Sequence, residues 1–310
     1  MRICKLSIIL EAVYMQEGAA CKRKDWKSMK VLVTGVKGQL GYDVVRELEA
    51  RGIEAVGVDI EEMDITDAVS VETVIGGAAP DAVIHCAAYT AVDAAEDNGE
   101  ACTKVNVDGT RNIAQVCKQL DIKMLYISTD YVFDGTGERP WEPEDERNPQ
   151  SVYGRTKYEG EVAVQEILDK YFIVRIAWVF GINGKNFVRT MLKLAETRDS
   201  LTVVNDQFGS PTYTYDLSKL LVDMIQTEKY GMYHATNEGI CSWYEFACAI
   251  FKEAGIAMEV RPVSSEEYGA KAKRPANSRM SKDKLTEMGF DRLPTWQDAL
   301  SRYIKELSTN

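Results

Sequence analysis

The chain has 310 residues, of which 45% are hydrophobic and 27% are charged, as in ordinary globular proteins. Its formal net charge of −11 excludes a general polyanion binder, because non-specific nucleic-acid binding depends on clustered Lys and Arg. No run approaches the roughly 18 apolar residues that a bilayer-spanning helix needs, so we expect no membrane association. The seven cysteines are scattered without the Cys-x-x-Cys spacing of zinc or redox sites, which predicts reduced thiols in a cytoplasmic protein.

Residues 1–28 differ from the chain that follows them. Residues 6–10 form a short apolar stretch like that of a signal peptide, but Glu11 ends it early, so we do not expect secretion. Because a strand pattern begins directly after Met29, we interpret residues 1–28 as an extension to the folded protein. A packed additional helix is the alternative interpretation.

From Lys30 onward, short β-branched runs alternate with longer amphipathic segments, a pattern typical of parallel strands joined by crossover helices. The strand runs are continuously apolar, as expected for a sheet that helices cover on both faces. We predict an α/β fold: a Rossmann-type doubly wound parallel sheet over 29–180, and a smaller, mainly substrate-binding C-terminal lobe over 181–310 that could return a strand to the sheet. The predicted strands are 30–34, 54–58, 81–85, 124–128 and 171–176, and the predicted helices are 39–51, 67–77, 99–120, 153–169, 186–197, 215–228 and 242–254.

A glycine-rich turn follows the first predicted strand and opens the first predicted helix. Glycines let such a turn tighten and let the backbone approach a pyrophosphate, which the helix N-terminus attracts. Asp59 ends the second strand, where a carboxylate accepts hydrogen bonds from ribose hydroxyls. No Arg or Lys stands beside Asp59 in the sequence to neutralise a 2′-phosphate, so NADH is slightly favoured over NADPH. The turn residues expected to hold the dinucleotide are Gly35, Lys37, Gly38, Gln39, Leu40 and Gly41.

Two further loops are expected beside the cofactor. An acidic loop beginning at Asp64 and Ile65 could hydrogen-bond the adenine amine, while Thr66 or Asp67 caps the next helix. After the third strand, small residues would let the backbone run along the cofactor, in the stretch Ala87, Ala88 and Tyr89. We assign no chemical role to His85, because a lone histidine at a strand end is usually a packed core residue.

Tyr153 and Lys157 lie one helical turn apart, so their side chains project from the same face of the predicted helix. A tyrosine with an ordinary pKa of ~10 is a poor acid at neutral pH, whereas a nearby cation favours phenolate and lowers that pKa. The pair therefore suits proton transfer to a ketone oxygen beside a nicotinamide.

These motifs together resemble the extended short-chain dehydrogenase/reductases and, within them, the dTDP-4-dehydrorhamnose reductase family. The resemblance runs from about Lys30 to the C-terminus. The stretches that carry it are Ser128-Thr129-Asp130-Tyr131, Tyr153-Gly154-x-x-Lys157, Trp178-Val179-Phe180-Gly181, Asn186-Phe187-Val188, Asp206-Gln207-Phe208-Gly209-Ser210-Pro211-Thr212 and Arg274-Pro275-Ala276-Asn277-Ser278.

The resemblance implies that NADH or NADPH reduces the C4 ketone of dTDP-4-dehydro-L-rhamnose to dTDP-L-rhamnose, for cell-surface polysaccharide. It also implies that Tyr153 donates the proton, that Lys157 holds the nicotinamide ribose and that Thr129 hydrogen-bonds the carbonyl oxygen. Asn106 matches a family position beneath the site, although an ordinary helix-interior amide is an equal interpretation. The residues expected at the dTDP-sugar are Thr129, Asp130, Tyr131, Trp178, Asn186, Gln207 and Arg274. Cations expected near its diphosphate are Lys185, Arg189, Arg198, Arg274 and Arg279.

Several alternatives stay open. Ile176-Ala177 replaces the Thr-Ser that the family commonly has before the pocket tryptophan, so the sugar could be another 4-ketone. A dehydratase would carry Asp-Glu where this chain has Asp130-Tyr131, so we expect reduction, whereas the sequence does not exclude a 4-epimerase. A non-catalytic dinucleotide-binding subunit, like the methionine adenosyltransferase β subunit, is the alternative from a different class. A homodimer and a metal requirement are also open.

Overall fold

The structure, a computed structural model, describes residues 29–309, and the predicted extension over residues 1–28 lies outside the described residues. The strands are β1 (Lys30–Thr34), β2 (Glu54–Val58), β3 (Ala82–His85), β4 (Lys123–Thr129), β5 (Tyr171–Ile176), β6 (Val179–Phe180), β7 (Ser200–Val204), β8 (Phe208–Gly209), β9 (Thr212–Tyr213), β10 (Gly231–His234), β11 (Cys241–Ser242) and β12 (Glu259–Val263). The helices are α1 (Gln39–Ala50), α2 (Ala68–Ala78), α3 (Val92–Ala95), α4 (Gly99–Thr103), α5 (Thr110–Gln119), α6 (Val152–Ile167), α7 (Phe187–Ala195), α8 (Thr214–Ile225), α9 (Trp243–Glu253), α10 (Ser265–Tyr268), α11 (Asp283–Glu287) and α12 (Trp296–Thr309).

Six parallel strands form the central sheet, in the order β10-β5-β4-β3-β1-β2. Successive side chains of a strand point to opposite faces, so Val31 and Val33 belong to one apolar cluster and Leu32 to another. Helices α1 and α8 cover the first cluster, and α2, α5 and α6 cover the second. The predicted doubly wound parallel sheet is therefore confirmed.

The C-terminal part of the chain builds a third apolar cluster outside the sheet, with side chains from α7, α9 and α12. Strands β7 and β12 pair in parallel beside it. The sequence patterns did not predict either strand, because Pro262 and exposed alternate residues interrupt their apolar runs. Residues 214–234 return to the central sheet as α8 and β10, and β10 pairs with β5.

The helix predicted over 99–120 forms, but its middle third is a π-helix over Lys104–Gly109, between α4 and α5. Single-turn π segments inside α-helices are frequently found at functional sites. The segment contains Asn106, which is buried. Asp67 caps α2 by accepting a hydrogen bond from the Val69 backbone N–H, as one of the two predicted caps.

Within the described range 29–309, none of the helices is both long and apolar enough to cross a bilayer. The cysteines described there are free thiols rather than disulfides, namely Cys86, Cys102, Cys117, Cys241 and Cys248. Cys4 and Cys21 lie outside the described residues.

Candidate active site

The carboxyl ends of the sheet strands open into a cavity of about 580 Å³, which reaches from the glycine-rich turn to Trp178. A smaller cavity of about 140 Å³ adjoins it and shares Gly35, Asp59, Ala87 and Ala88 with its lining. The structure brings most of the predicted site residues to these two cavities: Gly35, Lys37, Gly38, Gln39, Leu40, Gly41, Asp59, Asp64, Ile65, Ala87, Ala88, Thr129, Asp130, Tyr131, Tyr153, Lys157 and Trp178.

The first turn of α1 fits a dinucleotide pyrophosphate. A Cβ atom at Gly41 would lie 2.3 Å from the carbonyl oxygen of Gly35, so only glycine lets α1 pack this closely against the turn. The N-cap is Gly38, and no side chain caps the helix. The first backbone N–H groups of a helix lack partners within it, and here they face a cavity that an anionic group can enter.

Lys37 is a cation close to Asp59 that the residues adjacent to Asp59 in the sequence did not predict. Strands β1 and β2 are paired, so the turn after β1 meets the end of β2. The Lys37 backbone N–H donates to Asp59 Oδ2 at 2.9 Å, and Lys37 Nζ lies 2.6 Å from Glu61 Oε1. The hydrogen bond from Lys37 to Glu61 raises the pKa of the lysine. A lysine therefore lies near Asp59 in the folded chain, although none stands beside it in the sequence, and its ammonium pairs with Glu61.

Asn106 holds the loop after β3 against α6. Its Oδ1 accepts a hydrogen bond from the Tyr89 backbone N–H at 2.8 Å, and its Nδ2 donates to the carbonyl oxygen of Tyr89 at 3.2 Å. The same Nδ2 donates to Thr156 Oγ1 at 3.0 Å. Neither Asn106 nor Tyr89 lines the two cavities. Their hydrogen bonds therefore hold the loop in place without either residue lining a cavity.

His85 is buried beneath the cavity. Its Nδ1 lies 2.8 Å from Thr34 Oγ1 and its Nε2 lies 3.2 Å from Thr110 Oγ1. Burial and, to a smaller extent, the Lys157 charge lower the pKa of His85 to about 3. The ring is thus neutral and hydrogen-bonded within the core.

The first two turns of α6 carry Tyr153 and Lys157, the residues predicted to serve proton transfer. Ser151 caps this helix by accepting a hydrogen bond from the Gly154 backbone N–H at 3.1 Å. A Cβ atom at Gly154 would lie 2.3 Å from the carbonyl oxygen of Tyr131, so glycine lets α6 approach the turn after β4. The Tyr131 and Tyr153 rings meet edge-on with centroids 5.4 Å apart.

Burial dominates the electrostatics of Tyr153 and Lys157. It raises the pKa of Tyr153 above its usual range, while a hydrogen bond with Thr129 opposes this shift. Burial also lowers the pKa of Lys157 to about 7, against the attraction of Glu161, and Lys157 Nζ lies 4.1 Å from the Tyr126 ring centroid. We expected Lys157 to lower the pKa of the phenol, but burial raises that pKa, and the phenol holds its proton at neutral pH.

Asp130 joins the end of β4 to the C-terminal part of the chain. Its Oδ1 accepts a hydrogen bond from the Thr129 hydroxyl at 2.9 Å, and its Oδ2 accepts one from the Ser278 hydroxyl. The residue is 2% exposed, and burial raises its pKa to about 6. Both carboxyl oxygens therefore contact protein hydroxyls at the edge of the cavity.

Trp178 forms the wall of the cavity opposite the glycine-rich turn. Its φ is 51°, a left-handed conformation that is unusual for a bulky residue and is retained only where packing enforces it. The ring stacks on Trp243, with centroids 3.8 Å apart and an interplanar angle of 16°. Sequence patterns predicted only that Trp243 begins a helix. Ile176 and Ala177 also line this wall, so the two hydroxyl groups that the family's usual Thr-Ser would supply are absent from the cavity lining.

Three residues predicted at the sugar nucleotide lie outside the lining of the large cavity. Asn186 caps α7 and donates to Gln39 Oε1, the Gly181 carbonyl and Tyr303 Oη, so its amide holds elements together. Gln207 is 4% exposed and donates to Ser265 Oγ. Arg274 lies behind Tyr131, donating to Tyr131 Oη at 3.4 Å and to Asp93 Oδ2 at 2.7 Å. All three side chains therefore hydrogen-bond other protein groups and do not line the large cavity.

A buried ion pair, which the sequence patterns did not predict, fixes α6 to the sheet. Arg175 donates from Nε and Nη2 to the two carboxylate oxygens of Glu161, each at 2.7 Å, and both side chains are 0% exposed. Glu161 Oε1 also accepts from Ser128 Oγ at 2.6 Å. The sequence contained one indication, an arginine within the otherwise apolar run of β5.

Comparison with known proteins agrees with this geometry. The family model of the RmlD substrate-binding domain matches residues 29–309. A dTDP-4-dehydrorhamnose reductase of Aggregatibacter actinomycetemcomitans is 39% identical, over 87% of this chain and 97% of its own. A dTDP-4-keto-6-deoxy-D-glucose reductase of Streptomyces niveus is 38% identical, over 90% of this chain and 98% of its own.

Among solved structures, a dTDP-4-dehydrorhamnose reductase of Bacillus anthracis strain Ames in complex with NADP aligns with a TM-score of 0.88. It is 41% identical to this chain, and the alignment covers 90% of this chain and 99% of that one. The family predicted from the ordered motifs is therefore confirmed, and the chain belongs to the RmlD family of dTDP-4-dehydrorhamnose reductases.

Proposed function

We propose that this protein reduces the C4 ketone of dTDP-4-dehydro-L-rhamnose to dTDP-L-rhamnose with NADH or NADPH. The observation that carries the proposal is the Tyr153 phenol, which shares one cavity with Thr129, Lys157 and the glycine-rich turn. A protein that only binds a dinucleotide needs no such proton donor, so an enzyme is favoured over a regulatory subunit.

Some residues of the cavity would bind the cofactor, and another transfers the proton. The glycine-rich turn would hold the pyrophosphate, Asp59 the adenosine ribose and Lys157 the nicotinamide ribose. When bound, the reduced nicotinamide supplies a hydride to the carbonyl carbon. Tyr153 gives its proton to the carbonyl oxygen, which becomes the hydroxyl. The phenol suits this step because it holds its proton at neutral pH.

The test is turnover with a defined ketone. Purified protein is mixed with NADH or NADPH and dTDP-4-dehydro-L-rhamnose, and cofactor oxidation and the sugar product are followed. Formation of dTDP-L-rhamnose is expected. The D-configured ketone, dTDP-4-keto-6-deoxy-D-glucose, belongs in the same assay, because a relative is named for its reduction and Ile176-Ala177 alters the cavity wall. Preference for that ketone would replace the rhamnose assignment, and no turnover of either would overturn the proposal.

We further propose that NADH is preferred, because the Asp59 carboxylate would repel a 2′-phosphate and Glu61 already pairs with Lys37. Replacing Asp59 by Asn is expected to raise kcat/KM with NADPH relative to NADH about tenfold, since it removes the like charge. Glu61→Gln, which only frees Lys37 from an exposed pair, is expected to shift the ratio less, by up to about fivefold. Unmodified protein that prefers NADPH would contradict the assignment of Asp59.

Lys157→Met is expected to weaken NADH binding about 10- to 100-fold, because charged hydrogen bonds contribute roughly 1.5–3 kcal/mol. Since the pKa of Lys157 is about 7, NADH affinity of the unmodified protein should fall as the pH rises through 7 and the ammonium loses its proton. The variant should lose this pH dependence. Fluorescence titration checks both expectations, with the exposed Lys118→Met as the control; equal affinities in both variants would refute the assigned role.

A further inference from the structure

The hydrogen bonds around Asp130 form a chain beside the Tyr153 phenol, which lines the same cavity as Thr129 and Asp130. The Thr129 hydroxyl donates to one Asp130 carboxyl oxygen, and the Ser278 hydroxyl donates to the other. The Thr129 oxygen also accepts from the Tyr131 backbone N–H at 3.3 Å. Thr129 has one hydroxyl proton, and in this arrangement that proton is donated in the hydrogen bond to Asp130.

We propose that Asp130 is a positioning residue whose charge state decides whether Thr129 can donate a hydrogen bond to the ketone. An ionised carboxylate has only acceptor oxygens, so both neighbouring hydroxyls must donate to it. A protonated carboxyl group has a donor of its own and can give it to Thr129, which frees the threonine proton for the substrate oxygen. The catalytic consequence rests on the proposed reduction, whereas the switch itself rests on the hydrogen bonds alone.

The surroundings of Asp130 allow both charge states near neutral pH. Burial raises its pKa to about 6, against the hydrogen bonds from Ser278 and Thr129. The titratable groups that face it are the phenols of Tyr131, on the same turn, and of Tyr153, on α6. Burial raises the pKa of both phenols, so neither titrates in this range. Arg274, which hydrogen-bonds Tyr131, stays charged throughout.

The catalytic consequence has a definite sign. As the pH rises through about 6, Asp130 ionises, Thr129 turns its proton away from the ketone, and kcat for reduction is expected to fall about tenfold or more. A separate decline above pH 7 would come from Lys157. The unmodified enzyme should therefore show two steps in its pH profile, and the lower step belongs to Asp130.

Three variants separate this switch from a purely structural role. Asp130→Asn cannot ionise and should lose the lower step while keeping the upper one. Ser278→Ala removes a bond that favours the ionised form, so the lower step should move to higher pH. The control is Asp134→Asn, a half-buried carboxylate on the following loop whose oxygen accepts from Thr136, and it should leave the profile unchanged. A lower step that survives in Asp130→Asn would overturn the proposal.

A readout without turnover keeps this test independent of the proposed function. Infrared difference spectra of the cofactor-free protein, recorded across pH 6, should show the carbonyl band of a buried protonated carboxyl group. The band should disappear in Asp130→Asn and remain in Asp134→Asn. If no ketone is reduced but this band titrates, the proposed function fails and the hydrogen-bond switch stands. If ketones are reduced without the band or the lower pH step, the switch is wrong.

Discussion

Replacing Tyr153 by Phe is expected to lower kcat about 10²–10⁴-fold, the usual cost of losing a general acid. The variant removes one oxygen atom from the cavity wall and creates no new charge. The ring can keep its edge-on contact with Tyr131, so the cavity wall should remain in place. NADH affinity should stay nearly unchanged, because the resemblance assigns the nicotinamide ribose chiefly to Lys157. Stopped-flow measurement of NADH oxidation, together with a binding titration, checks both expectations.

Tyr131→Phe is the matched control for this experiment. It removes the same atom from a neighbouring ring that also lines the cavity, but its hydroxyl faces Arg274. We expect Tyr131→Phe to change KM for the sugar nucleotide more than kcat. If Tyr153→Phe kept near-normal kcat, or if both variants lost kcat equally, Tyr153 would not be the specific proton donor.

Replacing Arg175 by Met is expected to lower the free energy of unfolding by about 3–5 kcal/mol, because it leaves the Glu161 carboxylate buried without its partner. The pair is 0% exposed, so water cannot replace the lost hydrogen bonds. Arg175 Nη1 also donates to the Pro143 carbonyl oxygen at 2.8 Å, and that contact is lost as well. Equilibrium unfolding in urea, followed by circular dichroism, measures the difference.

The double variant Glu161→Gln/Arg175→Met separates charge from packing. It removes both charges, and it should recover a large part of the stability lost in Arg175→Met. Because Glu161 attracts the Lys157 ammonium, the double variant should also lower the pKa of Lys157 further. NADH binding should then weaken at a lower pH than in the unmodified protein. A double variant as unstable as the sum of its two single variants would show that burial of an unpaired charge is not the cause.

Local sequence patterns predicted the first five strands and the longer helices between them, but not the short helix Val92–Ala95. They did so because both faces of the sheet are buried, which requires uninterrupted apolar runs such as that of β1. The glycine-rich turn and the Tyr153/Lys157 spacing predicted the chemistry of the site, because each depends on a few adjacent residues. The family followed from the order of these motifs along the chain.

The tertiary structure decided the contacts between residues far apart in the chain. Ser278 meets Asp130, Trp243 stacks on Trp178, and Lys37 reaches the acidic end of β2. Sequence periodicity reports which face of an element is buried, but not which distant polar group will meet it there. It also could not show that burial raises the pKa of the Tyr153 phenol. That shift depends on how completely the folded chain excludes water from the site.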